Sequence, residues 1–241
     1  MTLAPPAPPR QSDKRRYVRE MFSAIAPRYD VLNHLLSLNV DRAWRRAAVD
    51  RLGWEARPAG LYLDACAGTL DLAAELANRR RFSGRVIGAD FAMPMLRLGK
   101  GKAARGGLAP AAADVLQLPF RGGSFDGATV GFGVRNFADL DAGLTELRRV
   151  LRVGTRLVIL EFAMPPRRAL RVLYQFYFNR LLPLIGRAVS GHPTAYSYLP
   201  ASVDEFPSPG GLRQRLQRFG FRDCDFRLLT GGVVAIHWGT R

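Results

Sequence analysis

Cysteine is scarce in this chain of 241 residues, in which only Cys66 and Cys224 occur. No second ligand lies near either cysteine at the spacing of a zinc site, and no Cys-x-x-Cys pair is present. The histidines, His34, His192 and His237, show no metal-like spacing either. The sequence therefore predicts no metal site, and it favours a reducing compartment, the cytoplasm.

Long hydrophobic runs are also missing. No apolar stretch approaches the ~20 residues that a membrane-spanning helix needs. The N-terminus has no apolar signal-peptide core, and it carries four prolines followed by basic residues at positions 14–16. We therefore expect a disordered tail over residues 1–12 and a single domain over residues 13–241, of which residues 13–52 form a helical cover.

Acidic residues are few: 36 Lys and Arg face 20 Asp and Glu, which gives a formal net charge of +16. Such a surface attracts polyanions, either nucleic acid or an anionic membrane. Residues 165–190 hold five arginines and no acidic residue, beside an apolar helical stripe. This basic segment suits a helix that lies in a membrane interface, roofs an apolar substrate pocket or packs on the core. We assign residues 165–205 to an insertion that faces substrate or membrane.

Strand-like and helix-like patterns alternate after residue 52. Apolar runs at residues 61–63, 85–89, 124–132 and 157–160 are strand-like, and helical stretches separate them. This alternation predicts a parallel sheet with helices on both faces. Near the C-terminus, Gly231 and Gly232 join two further strands, and so short a turn requires an antiparallel pair. An α/β fold of this kind is the architecture of the Rossmann-like class I methyltransferases.

The first strands carry a nucleotide-binding pattern. The first strand ends at Asp64, and Gly68 and Thr69 then form a turn of small residues before a helix, so we expect these three residues to bind the cofactor. Asp90 follows Gly68 by 22 residues, close to the spacing expected of a carboxylate that accepts from ribose hydroxyls. Asp114 and the backbone N–H of Val115 could hold an adenine edge. The pattern alone does not separate NAD from S-adenosylmethionine, and each aspartate could instead cap a helix or form a turn.

The chain resembles the menaquinone/ubiquinone biosynthesis C-methyltransferase family from Val18 to Gly239. The most specific matches are Tyr29-Asp30-x-x-Asn33 and Phe132-Gly133-x-Arg135-Asn136. Further matches are Met21-Phe22, Ala26-Pro27-Arg28, Ser37, Trp44-Arg45, Leu63-Asp64-Ala65, Gly68-Thr69, Asp90-Phe91, Met95-Leu96, Leu118-Pro119-Phe120, Ser124-Phe125-Asp126, Arg149-Val150-Leu151, Leu160-Glu161-Phe162, Tyr196, Tyr198-Leu199-Pro200, Ser202 and Phe206-Pro207.

The resemblance implies a seven-stranded sheet and transfer of a methyl group from S-adenosylmethionine to a ring carbon of a prenylated quinol, either a benzoquinol or a naphthoquinol. The positions that it implies for the cofactor are Thr69, Asp90, Asp114, Val115 and Gly131. One departure concerns the turn, because the family has Gly-Thr-Gly-Asp where this chain has Gly68-Thr69-Leu70-Asp71. A positive φ at Leu70 would strain the turn, and otherwise the leucine could narrow the cofactor pocket.

Catalysis must make the ring carbon nucleophilic by favouring loss of a phenolic proton. Arg135, after the fourth strand, is our candidate for stabilising that oxygen or for ordering a water that takes the proton. Asn136 shares its turn. Tyr29 lies in the helical cover and is suited to closing the site, although packing explains it equally well. His192 is an alternative base without support from the resemblance.

Two rival functions remain at this point. The high charge suggests an RNA methyltransferase, but the chain lacks the polar-Pro-Pro-aromatic stretch and the suitably placed cysteine of such enzymes, so we expect no nucleic-acid partner. The leucine in the turn suggests a protein that binds S-adenosylmethionine without turnover. The expected partners are a prenylated quinol and an anionic membrane surface, with peripheral attachment at its inner face and homo-oligomerisation left open.

Overall fold

The computed structural model describes residues 11–104, 106–181 and 195–241. Two helices form the N-terminal cover: α1 spans Gln11–Leu36 and α2 spans Val40–Leu52. Helix α1 begins at Gln11, although the disordered tail was predicted to extend to residue 12. Arg15, one turn after the start of the helix, forms an ion pair with Asp114, which stabilises this first turn. Residues 1–10 of the predicted tail lie outside the described residues.

The sheet has seven strands in the described part of the chain, in the order β3-β2-β1-β4-β5-β7-β6. Their bounds are β1 Leu61–Ala65, β2 Arg85–Asp90, β3 Leu108–Ala112, β4 Ala128–Gly131, β5 Arg156–Phe162, β6 Arg222–Leu229 and β7 Val234–Thr240. Strands β1 to β5 are parallel, whereas β7 pairs antiparallel with both β5 and β6. The predicted fold class is therefore confirmed.

Helices cover both faces of the sheet. Their bounds are α3 Asp71–Ala77, α4 Met93–Leu98, α5 Leu140–Val150, α6 Arg168–Phe176 with a π-helical turn Tyr177–Leu181, α7 Ala195–Asp204 and α8 Pro209–Arg218. Local chemistry explains two of the starts. The Asp139 carboxylate caps α5, and the Ser208 hydroxyl accepts from Gly211 N at the start of α8, with Pro209 in its first turn.

The hydrophobic core includes one cluster on each face of the sheet and a smaller cluster, which we call the annex. One layer packs α2 and α3 on the sheet, and the other packs α5 and α8 on the opposite face. The annex joins α1 to the insertion through Met21, Ile25, Tyr174, Phe178 and Val203. The insertion therefore packs against the helical cover. Residues 182–194, including Pro183 and His192, lie outside the described residues.

Strand β1 lies between β2 and β4, so the connections leave it in opposite directions along the sheet. In open α/β sheets this switch point creates a crevice at the carboxyl ends of the strands, where ligands bind. Helix α1 lies over this crevice, because it contacts α4 and the 3₁₀ turn that follows β4. Within the described ranges, no helix has both the length and the apolar character to cross a membrane.

Candidate active site

A narrow cavity lies at the switch point, and we call it the cofactor cavity. Five residues predicted to bind cofactor line it: Gly68, Asp90, Asp114, Val115 and Gly131. Two of the predicted catalytic residues, Tyr29 and Asn136, line it as well. These side chains come from elements more than 100 residues apart, and the sheet topology brings them together.

The loop after β4 approaches the loop after β1 very closely. A Cβ atom at Gly133 would lie 2.5 Å from Cys66 Cβ, so only glycine fits. Between the two glycines of this loop, Phe132 has a φ of 57°, which is strained for a bulky residue. Strained backbone is concentrated at functional sites, and Phe132 lines the cofactor cavity.

Asp90 makes the contact at the start of the next helix that its position suggests. Its Oδ2 accepts from Gly68 N at 2.8 Å, and its Oδ1 accepts from Ala92 N at 2.8 Å, so it braces the turn and the start of α4. Burial raises its pKa, against the lowering effect of these hydrogen bonds. Each carboxylate oxygen keeps a further acceptor site for a ribose hydroxyl.

Asp114 is engaged from two directions. Its Oδ1 accepts from Leu116 N at 2.9 Å, which is the turn-forming contact that the sequence suggested. Its Oδ2 lies 2.5 Å from Nε of Arg15 in helix α1. Arg15 also lines the cofactor cavity and was missed from the sequence, where it is one of several basic residues near the N-terminus.

Asp64 and Thr69 do not line the cavity, although both were predicted to bind cofactor. Asp64 accepts from Ala73 N at 3.0 Å and from Thr129 Oγ1 at 2.8 Å, and burial raises its pKa to about 7. The Thr69 hydroxyl donates to Asp30 Oδ1 at 2.5 Å. Both side chains therefore hold the loops around the cavity, because their polar atoms point away from it.

Leu70 adopts the positive φ that we considered, at 67°. Its side chain is fully buried in the core and does not line the cofactor cavity. Gly88 and Gly99 make room for it, since a Cβ at Gly88 would lie 2.2 Å from Leu70 Cδ2. Of the two alternatives, the structure therefore shows the strained turn, and the leucine does not narrow the cavity.

A second and larger cavity, of about 590 Å³, lies between the helical cover and the insertion. We call it the apolar cavity, because most of its wall is aliphatic and aromatic, with Met21, Ile25, Leu36, Trp44 and Phe178 among its residues. The two cavities share three wall residues, Phe22, Tyr29 and Phe132. These residues mark the junction of the two cavities.

Tyr29 stands at this junction. Its ring packs edge-on against Phe22 with centroids 5.9 Å apart. Burial raises the pKa of its hydroxyl, while a hydrogen bond with Asn33 and the charge of Arg135 act in the opposite direction. The phenol is therefore neutral at ordinary pH and available as a hydrogen-bond donor.

Arg135 lines the apolar cavity and does not line the cofactor cavity. Its Nη1 lies 2.5 Å from Glu161 Oε1 and donates to Phe132 O at 2.7 Å. The arginine side chain is 7% exposed and the glutamate is fully buried. Glu161 thus fixes the guanidinium beside the junction residue Phe132, a role that the sequence did not reveal, although Glu161 lies in a stretch that matches the family. The Asn136 amide makes a long contact of 3.4 Å with Phe132 O.

The polar end of the apolar cavity is a second cluster that the sequence did not reveal. Arg45 pairs with buried Asp41, which also accepts from Ser37 Oγ at 2.7 Å and contacts His34 Nδ1 at 3.0 Å. These contacts lower the pKa of Asp41 against the raising effect of its burial.

The other described histidine, His237, lies in β7, where burial lowers its pKa to about 4.

The comparisons with known proteins agree with this geometry. A model of the ubiE/COQ5 methyltransferase family matches residues 10–241. The chain is 50% identical to demethylmenaquinone methyltransferase of Thermus thermophilus, over 92% of its own length and 100% of that relative. It is 44% identical to the ubiquinone/menaquinone biosynthesis C-methyltransferase UbiE of a Geobacter species (strain M21), over 95% of its own length and 98% of the relative.

Solved structures add the fold. A SAM-dependent methyltransferase from Thermotoga maritima, described as a possible histamine N-methyltransferase, superposes with a TM-score of 0.65 at 16% identity, over 92% of this chain and 98% of that one. The [4+2]-cyclase SpnF superposes with a TM-score of 0.68 at 15% identity, over 99% of both chains. Because the second is named for a cyclisation, these likenesses establish architecture alone.

The cavity residues also fit the predicted cofactor. Two carboxylates, Asp90 and Asp114, face it as acceptors for hydroxyl and amino groups, and Gly131 lets the backbone approach closely. The site geometry and the family match thus point to one conclusion: the chain belongs to the ubiE/COQ5 methyltransferase family and is an S-adenosylmethionine-dependent C-methyltransferase.

Proposed function

We propose that the protein methylates a ring carbon of a prenylated quinol, either a demethylmenaquinol or a benzoquinol of the ubiquinone pathway. The apolar cavity carries this proposal, because it meets the cofactor cavity at Phe22, Tyr29 and Phe132. Its volume of about 590 Å³ lies within the roughly 300–1,000 Å³ of pockets for drug-sized ligands, so it has room for a ring and part of an isoprenoid tail. The names of the similar proteins agree with this substrate class.

The chain's own residues have three tasks in this reaction. When bound, S-adenosylmethionine supplies a methyl group on a positively charged sulfur, which keeps the bonding electron pair. The junction residues hold the ring in line with that methyl group and exclude water. Arg135, held by Glu161, stabilises the oxygen that loses its proton or orders the water that receives it, and electron density then rises on the adjacent ring carbon.

Turnover with defined acceptors tests the function. The protein is incubated with S-adenosylmethionine and, separately, with a demethylated naphthoquinol and a demethylated benzoquinol, and the product mass is recorded. We expect one added methyl group on at least one acceptor. Cofactor binding without methylation of either quinol would contradict the proposal and would instead support a binding protein.

Replacing Asp90 with asparagine should weaken S-adenosylmethionine binding by about 1–3 kcal/mol, because a charged acceptor in the cofactor cavity is lost. Titration calorimetry measures the change. Asp64→Asn is the matched control, since Asp64 is also a buried aspartate near the end of a neighbouring strand but does not line the cavity. Equal affinities for the two variants and the wild type would remove Asp90 from the cofactor site.

Association with an anionic membrane is part of the proposal. Exposed hydrophobic side chains surround the apolar cavity, and three of its own wall residues, Leu35, Leu38 and Leu173, are 52%, 82% and 64% exposed. On α6, Phe176 is exposed beside them, and arginines of the basic segment flank it. Apolar side chains amid positive charge suit the interface of an anionic bilayer, from which a prenylated substrate would enter.

We expect the protein to co-sediment with anionic vesicles more than with neutral ones and to lose this preference at high salt. Each basic residue near such a surface contributes about 1 kcal/mol, and salt screens it. Leu173→Asp should weaken binding, whereas Val153→Asp, equally exposed but remote from the apolar cavity, should not. Equal binding to both vesicle types would leave the charge imbalance without this explanation.

A further inference from the structure

Three buried polar atoms beside the apolar cavity have no hydrogen-bond partner within the described part of the chain. They are the hydroxyl oxygens of Tyr174 and Tyr198 and the Nε of Arg135. All three residues line the apolar cavity. Buried polar groups in folded proteins are nearly always paired, because an unpaired one loses its hydration without compensation. Three such atoms at one cavity therefore call for a ligand.

The three groups come from three elements that converge on the cavity. Tyr174 lies on α6 and is 6% exposed, and its ring packs on Phe178 with centroids 4.3 Å apart. Tyr198 lies on α7, and its ring packs on Tyr17 of α1 with centroids 5.6 Å apart. The charge of Arg135 acts on the pKa of both phenols, which burial raises. Packing thus holds both rings in the wall of the cavity that Arg135 also lines.

The unpaired hydroxyls are not a general property of tyrosines in this cavity. Tyr177 also lines it, one residue after the end of α6, and its hydroxyl donates to Leu36 O at 2.9 Å. The insertion therefore has one tyrosine, Tyr177, whose hydroxyl binds the helical cover, and two tyrosines, Tyr174 and Tyr198, whose hydroxyls are available to a ligand. The first hydroxyl has a structural role, and the other two are candidates for ligand binding.

We propose that Tyr174 and Tyr198, together with Nε of Arg135, form the binding site for the ring oxygens of the quinol. This inference rests on the proposed function and assigns two residues that position the substrate. A tyrosine hydroxyl can donate to a ring oxygen or accept from a phenolic proton, whereas arginine only donates. Arg135 is therefore suited to the oxygen that loses its proton, and the tyrosines orient the ring from the insertion side.

The test compares Tyr174→Phe and Tyr198→Phe with Tyr62→Phe as the matched control, because Tyr62 is a buried tyrosine that lines neither cavity and its hydroxyl donates to Arg57 O at 2.9 Å. Quinol affinity is measured by quenching of tryptophan fluorescence, which needs no turnover, since Trp44 lines the apolar cavity. We expect each of the first two variants to raise the quinol Kd about 5- to 30-fold, the usual effect of losing a hydrogen bond in a buried site. Affinity for S-adenosylmethionine should not change.

Thermal stability separates this role from a structural one. Removing an unpaired buried hydroxyl should leave the Tm of the ligand-free protein unchanged or raise it. Tyr62→Phe should instead lower the Tm, because it breaks the hydrogen bond to Arg57 O, and should leave the quinol Kd unchanged. A quinol analogue in which one ring oxygen is replaced by hydrogen should bind the wild type more weakly than the quinol does. For one of the two tyrosine variants, the Kd for this analogue should then be close to the wild-type Kd, because the oxygen that the tyrosine binds is already missing.

The outcomes are distinguishable. If the wild type methylates a quinol but Tyr174→Phe and Tyr198→Phe bind it as tightly as the wild type, the inference is overturned and the proposed function stands. A lowered Tm with unchanged quinol affinity would show that the hydroxyls are structural. If the wild type binds no quinol at all, the proposed function fails and the inference fails with it.

Discussion

Arg135→Ala is expected to lower kcat by about 10²–10³-fold while leaving the affinity for S-adenosylmethionine near that of the wild type. The guanidinium lines the apolar cavity and not the cofactor cavity, so its loss should affect the acceptor. It is a fixed donor in a site with little water, being 7% exposed and held by a buried glutamate. Such donors contribute most where charge develops during the reaction. Steady-state kinetics and calorimetric titration provide the two measurements.

Arg135→Lys should be almost as inactive as the alanine variant. The Nη1 atom already serves Glu161 and Phe132 O, so only the other nitrogens of the planar fork remain for the substrate. A lysine ammonium placed on Glu161 has no second arm to extend into the cavity. If the lysine variant kept full activity, positive charge alone would be sufficient and the fork would have no special role.

Arg149→Ala is the matched control. Arg149 also pairs with a glutamate, Glu146, and donates to two backbone carbonyls, those of Leu118 and Phe120, but it lines neither cavity. We expect this variant to lose stability and to keep kcat. A wild-type turnover number in Arg135→Ala would remove Arg135 from the chemistry, whereas loss of cofactor affinity would make it a support of the loop after β4.

The fold was predictable because its signals are local. Apolar runs that end in Asp64 and Asp90, and a glycine pair between two C-terminal strands, mark strands and turns without reference to distant residues. Parallel strands then bring their carboxyl ends together, which placed Gly68, Asp90, Asp114 and Gly131 around one cavity. The family resemblance added the specific chemistry that these patterns alone left undecided.

Side-chain direction was harder to predict. The sequence placed Asp64 and Thr69 next to the cofactor cavity, but their side chains bind to Ala73 N and to Asp30 and do not line it. The apolar cavity depends on α1, α2, α6 and α7 packing together, and no local pattern reports that arrangement. Arg15 was hidden for the same reason, since its partner Asp114 lies 99 positions further along the chain.

Leu70 illustrates both limits and leads to the second large expected effect. Its positive φ could be suspected from the turn, but the direction of its side chain depends on Gly88 and Gly99, two glycines that the sequence does not connect with it. The leucine therefore fills the core between β2 and the end of α4. The structure thus predicts that substitutions at this position change stability far more than cofactor affinity.

Leu70→Ala should lower the free energy of unfolding by about 2–5 kcal/mol, because it leaves a cavity in the core and keeps a left-handed backbone conformation. Leu70→Gly removes even more of the side chain, yet it should be more stable than the alanine variant by about 1 kcal/mol. Glycine adopts a φ of 67° without the steric cost that any other residue bears there. Urea unfolding of the three proteins measures this order.

Affinity for S-adenosylmethionine provides the complementary measurement. Both variants should bind it close to wild-type strength when assayed well below their unfolding midpoints, since Leu70 does not line the cofactor cavity. Tighter binding by Leu70→Gly would show that the leucine crowds the cofactor, and a glycine variant less stable than the alanine variant would show that the backbone at this position is not strained. The expected combination is a large loss of stability with unchanged affinity. It would show that Leu70 stabilises the core, where Gly88 and Gly99 leave room for its side chain, at a turn position where the family resemblance implies glycine.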